Sequence, residues 1–412
     1  MLRRFLSSGS LRGAATFAFG GAGFALGNVM LAAALPPAQF GLLSLIMALM
    51  QFGLSCGPLG LDVVVKRHRP RITLTLLRSA SQNAALVALA IAVAAGAFYH
   101  LDATAVLLLF GGGLLAAGNN IVAGVYQSRG EMGWAMGLAQ APNYVLLLLA
   151  VAAWLLSARS AVPILVGVVA GYLATNLLGW THARKKQVGC IELESRQAFR
   201  EALASVSIGL ALQLLWQLER VAIPKLTSVD DLATYAALAA VVGAPFRATQ
   251  IGVAFTLIHR LRSAPDAAAA RAVLWHEILV AILLVTVSIA GVLIVAPLVF
   301  HHFLHDKYVI SRPLMIVTLA VGVVRVAESF STTAVTALGT ALSLARVSAM
   351  GWMGLAVAIA GATSFSSHGL VGIVFGTLLG WLTLWTGGLL IGIGAFKQRF
   401  AAGAIALPQP LP

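Results

Sequence analysis

The chain consists of long apolar runs separated by short polar segments. A helix that crosses a bilayer needs ~20 mostly apolar residues. Runs of that kind predict about twelve transmembrane helices. They span 13–35, 38–61, 79–99, 103–125, 135–156, 162–181, 204–224, 235–258, 277–299, 312–336, 347–363 and 369–394. The pattern therefore predicts an all-α polytopic membrane protein.

The composition agrees with this prediction. Hydrophobic residues make up 60% and charged residues 10% of the 412 residues, and the mean hydropathy is +0.94. Soluble domains are about 45–50% apolar and about 25% charged, so a water-soluble core could not bury this much apolar surface. The formal net charge is +14, but the basic residues lie in short loops between apolar runs. That pattern reflects membrane orientation, and we expect no nucleic-acid partner.

Lys and Arg alternate strongly between successive loops. Only Arg159, Lys225, Lys307 and Arg312 lie in one set of loops, against twenty residues in the other set and at the termini. The twenty are Arg3, Arg4, Arg12, Lys66, Arg67, Arg69, Arg71, Arg78, Arg129, Arg184, Lys185, Lys186, Arg196, Arg200, Arg260, Arg262, Arg271, Arg346, Lys397 and Arg399. Because cytoplasmic loops carry the excess of basic residues, both termini are predicted to be cytoplasmic, in a bacterial inner membrane. The basic N-terminus is interpreted as leading into a retained first helix, because no cleavage site followed by a soluble domain appears.

The two halves of the chain resemble each other. Phe40 and Lys66 bracket the second predicted helix much as Tyr235 and Arg260 bracket the eighth. This predicts two pseudo-symmetric six-helix halves, 1–190 and 191–412, related by an axis along the membrane normal. The segment 182–204 between them is predicted to form a short amphipathic cytoplasmic helix, or else a solvated connector.

Three segments resemble a known family. LPPAQFGLLSLIMALMQFGLSCGPLGLDVVVKR (35–67) is similar to the helix 1–2 signature of the polysaccharide-flippase branch of the MATE-like (MOP) exporter superfamily. ERVAIPKLTSVDDLATYAALAAV (219–241) and VTALGTALSLAR (335–346) resemble that branch's helix 7–8 and helix 10–11 regions. With the helix count, the resemblance covers nearly the whole chain.

The resemblance implies two six-helix bundles that form a V around a central cavity. It also implies a transporter, not an enzyme, that flips an undecaprenyl-diphosphate-linked oligosaccharide outward by alternating access, for O-antigen, capsule or exopolysaccharide synthesis. The expected partners are that lipid-linked substrate, membrane lipids, and polysaccharide polymerase and assembly proteins. No cofactor or metal is expected.

Three arginines are predicted to lie at membrane depth. At 1.5 Å per residue, Arg247 lies ~18 Å from the start of its predicted helix, and Arg325 lies ~20 Å from the start of its own. Arg220 lies nearer the outer end of predicted helix 7. An arginine at the bilayer centre costs at least about 2.5–3.5 kcal/mol, so these side chains must face protein or a wet cavity. We hypothesise that they form a cationic lumen for the diphosphate head. The alternatives are structural. Arg325 and Glu328 are three residues apart and could neutralise each other, and Glu219 and Arg220, which are adjacent and point to different sides, could include an anchor at the membrane interface.

Other polar residues within the apolar runs are candidates for coupling and for sugar contact. A carboxylate in a low-dielectric lumen can carry a proton, and the coupling candidates are Glu328, Glu219 and Asp62. The sugar-contact candidates are Asn28, Asn119, Asn120, Tyr126, Gln213, Trp216 and Gln217. The alternative for the amides and Tyr126 is hydrogen bonding between helices, and for Trp216 it is packing.

Competing functions are less well supported. A MATE-type cation-coupled drug antiporter is the main alternative, but it would be expected to carry an acid in helix 1, and 13–35 contains no Asp or Glu. Major-facilitator transporters have the same helix count, but loop 2–3 of this sequence lacks their glycine-rich pattern of an acid and an arginine. A polymerase or ligase would need a large outer loop. The His301, His302 and His305 cluster is predicted to be a solvated loop rather than a metal site.

Overall fold

The structure is a computed structural model that describes residues 9–68, 74–185 and 195–401, which contain thirteen α-helices and no β-strand. The helices are α1 (Gly9–Ala34), α2 (Pro37–Cys56), α3 (Leu61–His68), α4 (Leu74–Tyr99), α5 (Ala103–Ser128), α6 (Met132–Leu155), α7 (Val162–Lys185), α8 (Ser195–Leu226), α9 (Val229–Arg262), α10 (Ala267–Leu298), α11 (Arg312–Leu338), α12 (Ala341–Ser364) and α13 (Gly369–Ala401). All except α3 are long and overlap the predicted runs one for one. The predicted fold class is confirmed.

Membrane-spanning character is visible in the exposed surface. Ten of the helices in the described part of the chain are long and apolar enough to cross a membrane, and α1 adds a shorter apolar stretch, Gly20–Ala34. Helix α10 is the extreme case, with Leu279, Leu283 and Ile294 exposed by 61%, 64% and 66%. Apolar side chains so exposed require lipid around them. The chain is a multi-pass membrane protein.

Two predicted boundaries were wrong. The second helix was expected to run to residue 61, but α2 ends at Cys56 and the short α3 begins at Leu61. Pro58 cannot donate a main-chain hydrogen bond, and Leu59 and Gly60 take φ values of 46° and 79°, which no α-helix accommodates. The separate helix expected in 182–204 was also wrong over its described part, because α7 continues to Lys185 and 195–204 forms the first turns of α8.

Some sequence predictions fall on residues outside those described. The boundary between the halves, at 190/191, lies in the segment 186–194. Of the basic residues used for orientation, Arg3, Arg4, Arg69, Arg71 and Lys186 also lie outside the described ranges.

Short polar side chains start several helices. Asp102 and Asp266 accept hydrogen bonds from Ala105 N and Ala269 N, at 2.6 and 2.7 Å, in the first turns of α5 and α10. The Ser228 hydroxyl likewise accepts from Asp231 N at 3.0 Å at the start of α9. These bonds satisfy main-chain N–H groups that have no partner inside a helix, so the loops can be short.

The long helices form two bundles with loops on two sides. In the first bundle α1 packs on α6, and α5 on α2, α4 and α7; in the second α13 packs on α11 and α12, and α11 on α9. The bundles meet where α9 contacts α1 and α2. We call the side that holds Arg129 and the ends of α7 and α9 the basic side. The opposite side holds the loops at 35–36, 100–102, 156–161, 227–228 and 304–311.

Glycine allows close helix approach within each bundle. A Cβ on Gly53 of α2 would lie 2.6 Å from Gly113 Cα of α5. A Cβ on Gly361 of α12 would lie 2.8 Å from Gly376 Cα of α13. Lipid provides no hydrophobic drive for helix association, so close van der Waals packing of small residues has to supply it.

A proline in the middle of α6 is compensated by an amide from α5. Pro142 has no N–H, so the Leu138 carbonyl four residues earlier lacks its helical donor. The buried Asn119 side chain donates to that carbonyl at 2.8 Å. Asn119 therefore joins two helices by satisfying a main-chain acceptor, the alternative considered for it above.

We expect Asn119→Ala to lower the free energy of unfolding by about 1 kcal/mol, because the Leu138 carbonyl would lose its donor. Pro142→Ala returns an N–H to α6, which can donate to the Leu138 carbonyl. In a Pro142→Ala background, Asn119→Ala should therefore lower the free energy of unfolding much less. Unfolding in detergent measures both. An equal cost in the two backgrounds would contradict this account.

Candidate functional site: a cationic cavity between the bundles

A cavity of about 480 Å³ lies between the two bundles. Its walls come from α1 and α6 of the first bundle and from α8, α9 and α11 of the second. Helix α9 runs unbroken through Pro245, and Gly243, Ala244 and Pro245 line the cavity wall. Arg220, Arg247 and Arg325 all line the same cavity.

Arg325 is held in place by an acid and two indole rings. Its guanidinium donates to Glu219 Oε1 at 2.7 Å, with the two side chains exposed by 16% and 2%. The same guanidinium lies 4.6 Å from the centroid of the Trp216 ring and 4.8 Å from that of Trp381. The pairing of Arg325 with Glu328, considered from the sequence, was wrong, because the partner comes from α8. Because the Arg325 guanidinium lies over the Trp216 ring, that face of the ring is not free to stack on a sugar.

Arg220 and Arg247 have no carboxylate partner of this kind. Neither forms a salt bridge or hydrogen bond with another residue in the described ranges. Their guanidinium carbons lie 6.0 and 5.8 Å from the centroid of the Phe24 ring, which α1 contributes from the other bundle. Arg247 is exposed to the cavity space, and Arg220 is half-buried. With Glu219 engaged by Arg325, the lining carries two uncompensated positive charges.

The structure adds residues of the site that sequence reasoning missed. They are Phe24 of α1, Gln140 and Asn143 of α6, Tyr235 and Gln250 of α9, and Trp381 of α13 behind Arg325. A signal for two of them was present, because Gln140 and Asn143 flank a mid-helix proline within an apolar run. Trp216 and Gln217 are the only sugar-contact candidates that line the cavity among the residues described.

The other sugar-contact candidates do not line the cavity, and their side chains donate hydrogen bonds to main-chain carbonyls. Asn28 donates to Phe24 O, Asn120 to Leu54 O and Tyr126 to Gly179 O, at 2.8, 3.1 and 2.9 Å. Gln213 donates to Gln51 O at 3.4 Å and so links α8 to α2. The bonds of Asn119, Asn120, Tyr126 and Gln213 join different helices, as the alternative expected. The bond of Asn28 stays within α1.

The remaining acidic candidates lie apart from the three arginines' cavity. Asp62 is in the first turn of α3, at the basic side. Glu328 is buried on α11, 4% exposed, and accepts a hydrogen bond from the Thr332 hydroxyl one turn further on. No described Arg or Lys pairs with Glu328. In the loop before α11, the His301 ring lies 2.8 Å from the Asp306 carboxylate.

Polar bonds fasten the two bundles together on the side opposite the basic side. Lys307 Nζ, from the loop before α11, donates to Ala32 O at 2.9 Å and to Leu35 O, at the end of α1. The Tyr308 hydroxyl donates to Ala32 O at 3.0 Å. Main-chain carbonyls at a helix C-terminus lack helical donors and carry partial negative charge, so a lysine suits them. Burial lowers the pKa of the Lys307 ammonium.

Solved structures share this architecture over nearly its full length. A multidrug resistance MATE family transporter of the MOP superfamily, in an inward-facing conformation, is 14% identical with a TM-score of 0.69, covering 93% of this chain and 95% of that one. Lipid II flippase MurJ, in an inward closed conformation, is 11% identical with a TM-score of 0.70, covering 96% and 91%. The chain shares the fold of these two solved transporters. No protein-family model matches it, and no curated protein matches its sequence.

An outward-facing MATE transporter of the MOP superfamily is also similar, 14% identical with a TM-score of 0.57 over 97% of this chain and 98% of that one. In this chain the cavity occupies the seam between the two bundles, with walls from both. The fold that the sequence resemblance implied, helical bundles around a central cavity, is confirmed.

We expect Glu219→Ala to lower the free energy of unfolding by about 3 kcal/mol, because it leaves the Arg325 charge buried without its partner. Adding Arg325→Met should recover most of the loss. The control is Glu277→Ala, which breaks the pair of Glu277 with Arg260, whose side chains are exposed by 13% and 46%, so that the arginine left behind can still be hydrated. Exposed pairs contribute about 0–1 kcal/mol. Unfolding in detergent compares the three variants, and equal losses from the two glutamates would contradict the assignment.

Proposed function

We propose that this protein is a transporter that moves an anionic, lipid-linked headgroup across the membrane, and specifically that it flips an undecaprenyl-diphosphate-linked oligosaccharide. The observation that carries the proposal is the cavity between the bundles, whose lining has two arginines without an acidic partner. The orientation that we propose places the basic side in the cytoplasm of a bacterial inner membrane.

The chemistry of the lining suits a diphosphate. Arginine presents a planar, permanently charged set of donors that matches phosphate oxygens in bidentate fashion. A cavity of about 480 Å³ lies in the range of about 300–1,000 Å³ typical of small-molecule sites. It therefore suits a headgroup while the apolar lipid tail stays in the bilayer.

The comparisons are compatible with this proposal and with one alternative. MurJ is described as a lipid II flippase, and MATE transporters as multidrug resistance proteins. Two features disfavour export of a cationic drug by this chain. Among the described residues the lining is net positive, and its one acid, Glu219, is already engaged by Arg325. Polymerase and assembly proteins stay predicted partners.

We expect Arg247→Ala and Arg220→Ala each to reduce flipping by about 10- to 100-fold, the equivalent of losing one or two charge-assisted hydrogen bonds to the head. Arg247→Lys should retain part of the activity, because it keeps the charge but not the fork. The assay uses purified protein in liposomes that contain a fluorescent undecaprenyl-diphosphate-linked oligosaccharide. A membrane-impermeant quencher reports the fraction in the outer leaflet.

The matched control is Arg312→Ala, which removes an exposed arginine at the start of α11 and should leave flipping unchanged. Ethidium efflux from the same liposomes tests the antiporter alternative. Full flipping activity of a folded Arg247→Ala variant, or ethidium efflux without lipid flipping, would reject the proposal.

Glu328 is the coupling group that we favour among the three acidic candidates. A buried carboxylate without a basic partner is costly unless a proton or another cation neutralises it, and Thr332 provides only a hydroxyl. Glu219 is held by Arg325, and Asp62 lies at the basic side. Uptake and release of a cation at Glu328 would then accompany the change between bundle arrangements.

In the liposome assay, an imposed proton gradient should accelerate flipping by the wild type, and Glu328→Gln should be insensitive to it. Asp62→Asn is the control and should keep the gradient dependence. If collapsing the gradient leaves the flipping rate of the wild type unchanged, transport is not coupled to protons. If Glu328→Gln still responds to the gradient, Glu328 is not the coupling group.

A further inference from the structure

The cavity wall that faces the arginines carries a pair of amides. Gln140 and Asn143 of α6 line the cavity from the first bundle, while Arg220 and Arg247 line it from the second. The amides are three residues apart and so project from the same face of α6. Asn143 directly follows Pro142, and Gln140 precedes it by two residues. Asn119 of α5 donates to a carbonyl of the same helix.

The two amides hold each other in one arrangement. Asn143 Nδ2 donates to Gln140 Oε1 at 2.7 Å. Gln140 is only 8% exposed and Asn143 is half-buried. This bond uses one donor and one acceptor, and within the described residues no other hydrogen bond engages either amide. Each amide has two N–H donors and one carbonyl acceptor, so unused donors and the Asn143 acceptor remain for a ligand.

Helix α1 leaves room for this pair. A Cβ on Gly20 would lie 2.1 Å from Gln140 Oε1, so a side chain there would displace the glutamine. Gly21 lines the cavity, and a Cβ there would have no other atom within 4 Å. The absence of a side chain at Gly20 therefore leaves space for Gln140, and its absence at Gly21 widens the cavity.

We propose that Gln140 and Asn143 form a specificity-determining site that binds hydroxyl groups of the sugar next to the diphosphate. This inference rests on the proposed function. A hydroxyl group is both donor and acceptor, and an uncharged amide pair offers both roles without attracting an ion of either sign. Because the amides and the arginines line one cavity of about 480 Å³, a head whose phosphates contact the arginines places its first sugar, rather than a distant one, at α6.

The test is a binding measurement in lipid nanodiscs by isothermal titration. The probes are undecaprenyl diphosphate without sugar and the same lipid linked to glucose, galactose or N-acetylglucosamine. We expect the wild type to bind at least one glycosylated lipid about tenfold more tightly than the bare lipid, as two hydrogen bonds would produce. Gln140→Met/Asn143→Leu should bind both equally. Arg247→Ala should weaken both by the same factor.

Asn120→Ala is the matched control, because it removes an amide that bonds to Leu54 O outside the cavity, and it should keep the sugar preference. If the double variant fails to fold, Asn143→Ala, which only shortens a half-buried side chain, serves in its place and should lose the preference. Absence of any sugar preference in the wild type, or its survival in the α6 variant, would overturn this inference while leaving lipid flipping intact. Failure of the wild type to bind either lipid would reject the proposed function itself.

Discussion

The cost of placing guanidinium groups within the membrane is the constraint on which the rest of this structure depends. An arginine in lipid is expensive, and burying one against protein is expensive without a partner. The chain meets this cost for Arg325 with the Glu219 carboxylate and the faces of Trp216 and Trp381. Three helices, α8, α11 and α13, supply these groups, so the charge is stabilised by the packing of the second bundle.

Arg220 and Arg247 meet the same cost in a different way. They face the cavity instead of a carboxylate, with the Phe24 ring from the first bundle beside both. A site that leaves charge uncompensated holds that charge available for a ligand of opposite sign. The difference between Arg325 and the other two arginines therefore separates a positioned structural cation from two candidate binding groups.

The two bundles contribute unlike chemistry to the seam between them. The second bundle supplies the arginines, whereas the first supplies glycine, phenylalanine and a pair of amides. On the side opposite the basic side, Lys307 and Tyr308 bond to the carbonyl end of α1. These bonds join the two bundles directly on that side.

The sequence alone determined the number and order of the long helices, because a spanning segment needs ~20 apolar residues and every such run became a helix. It also marked the three arginines as candidates, since charge within an apolar run is conspicuous. Only the tertiary structure decided which acid pairs with which arginine, because Glu219 and Arg325 are 106 positions apart. It also gave polar residues different roles: Asn119 donates to the Leu138 carbonyl, one turn before Pro142, whereas Gln140 and Asn143 line the cavity. A polar residue in an apolar run has the same local pattern in either role, and only helix packing determines what it faces.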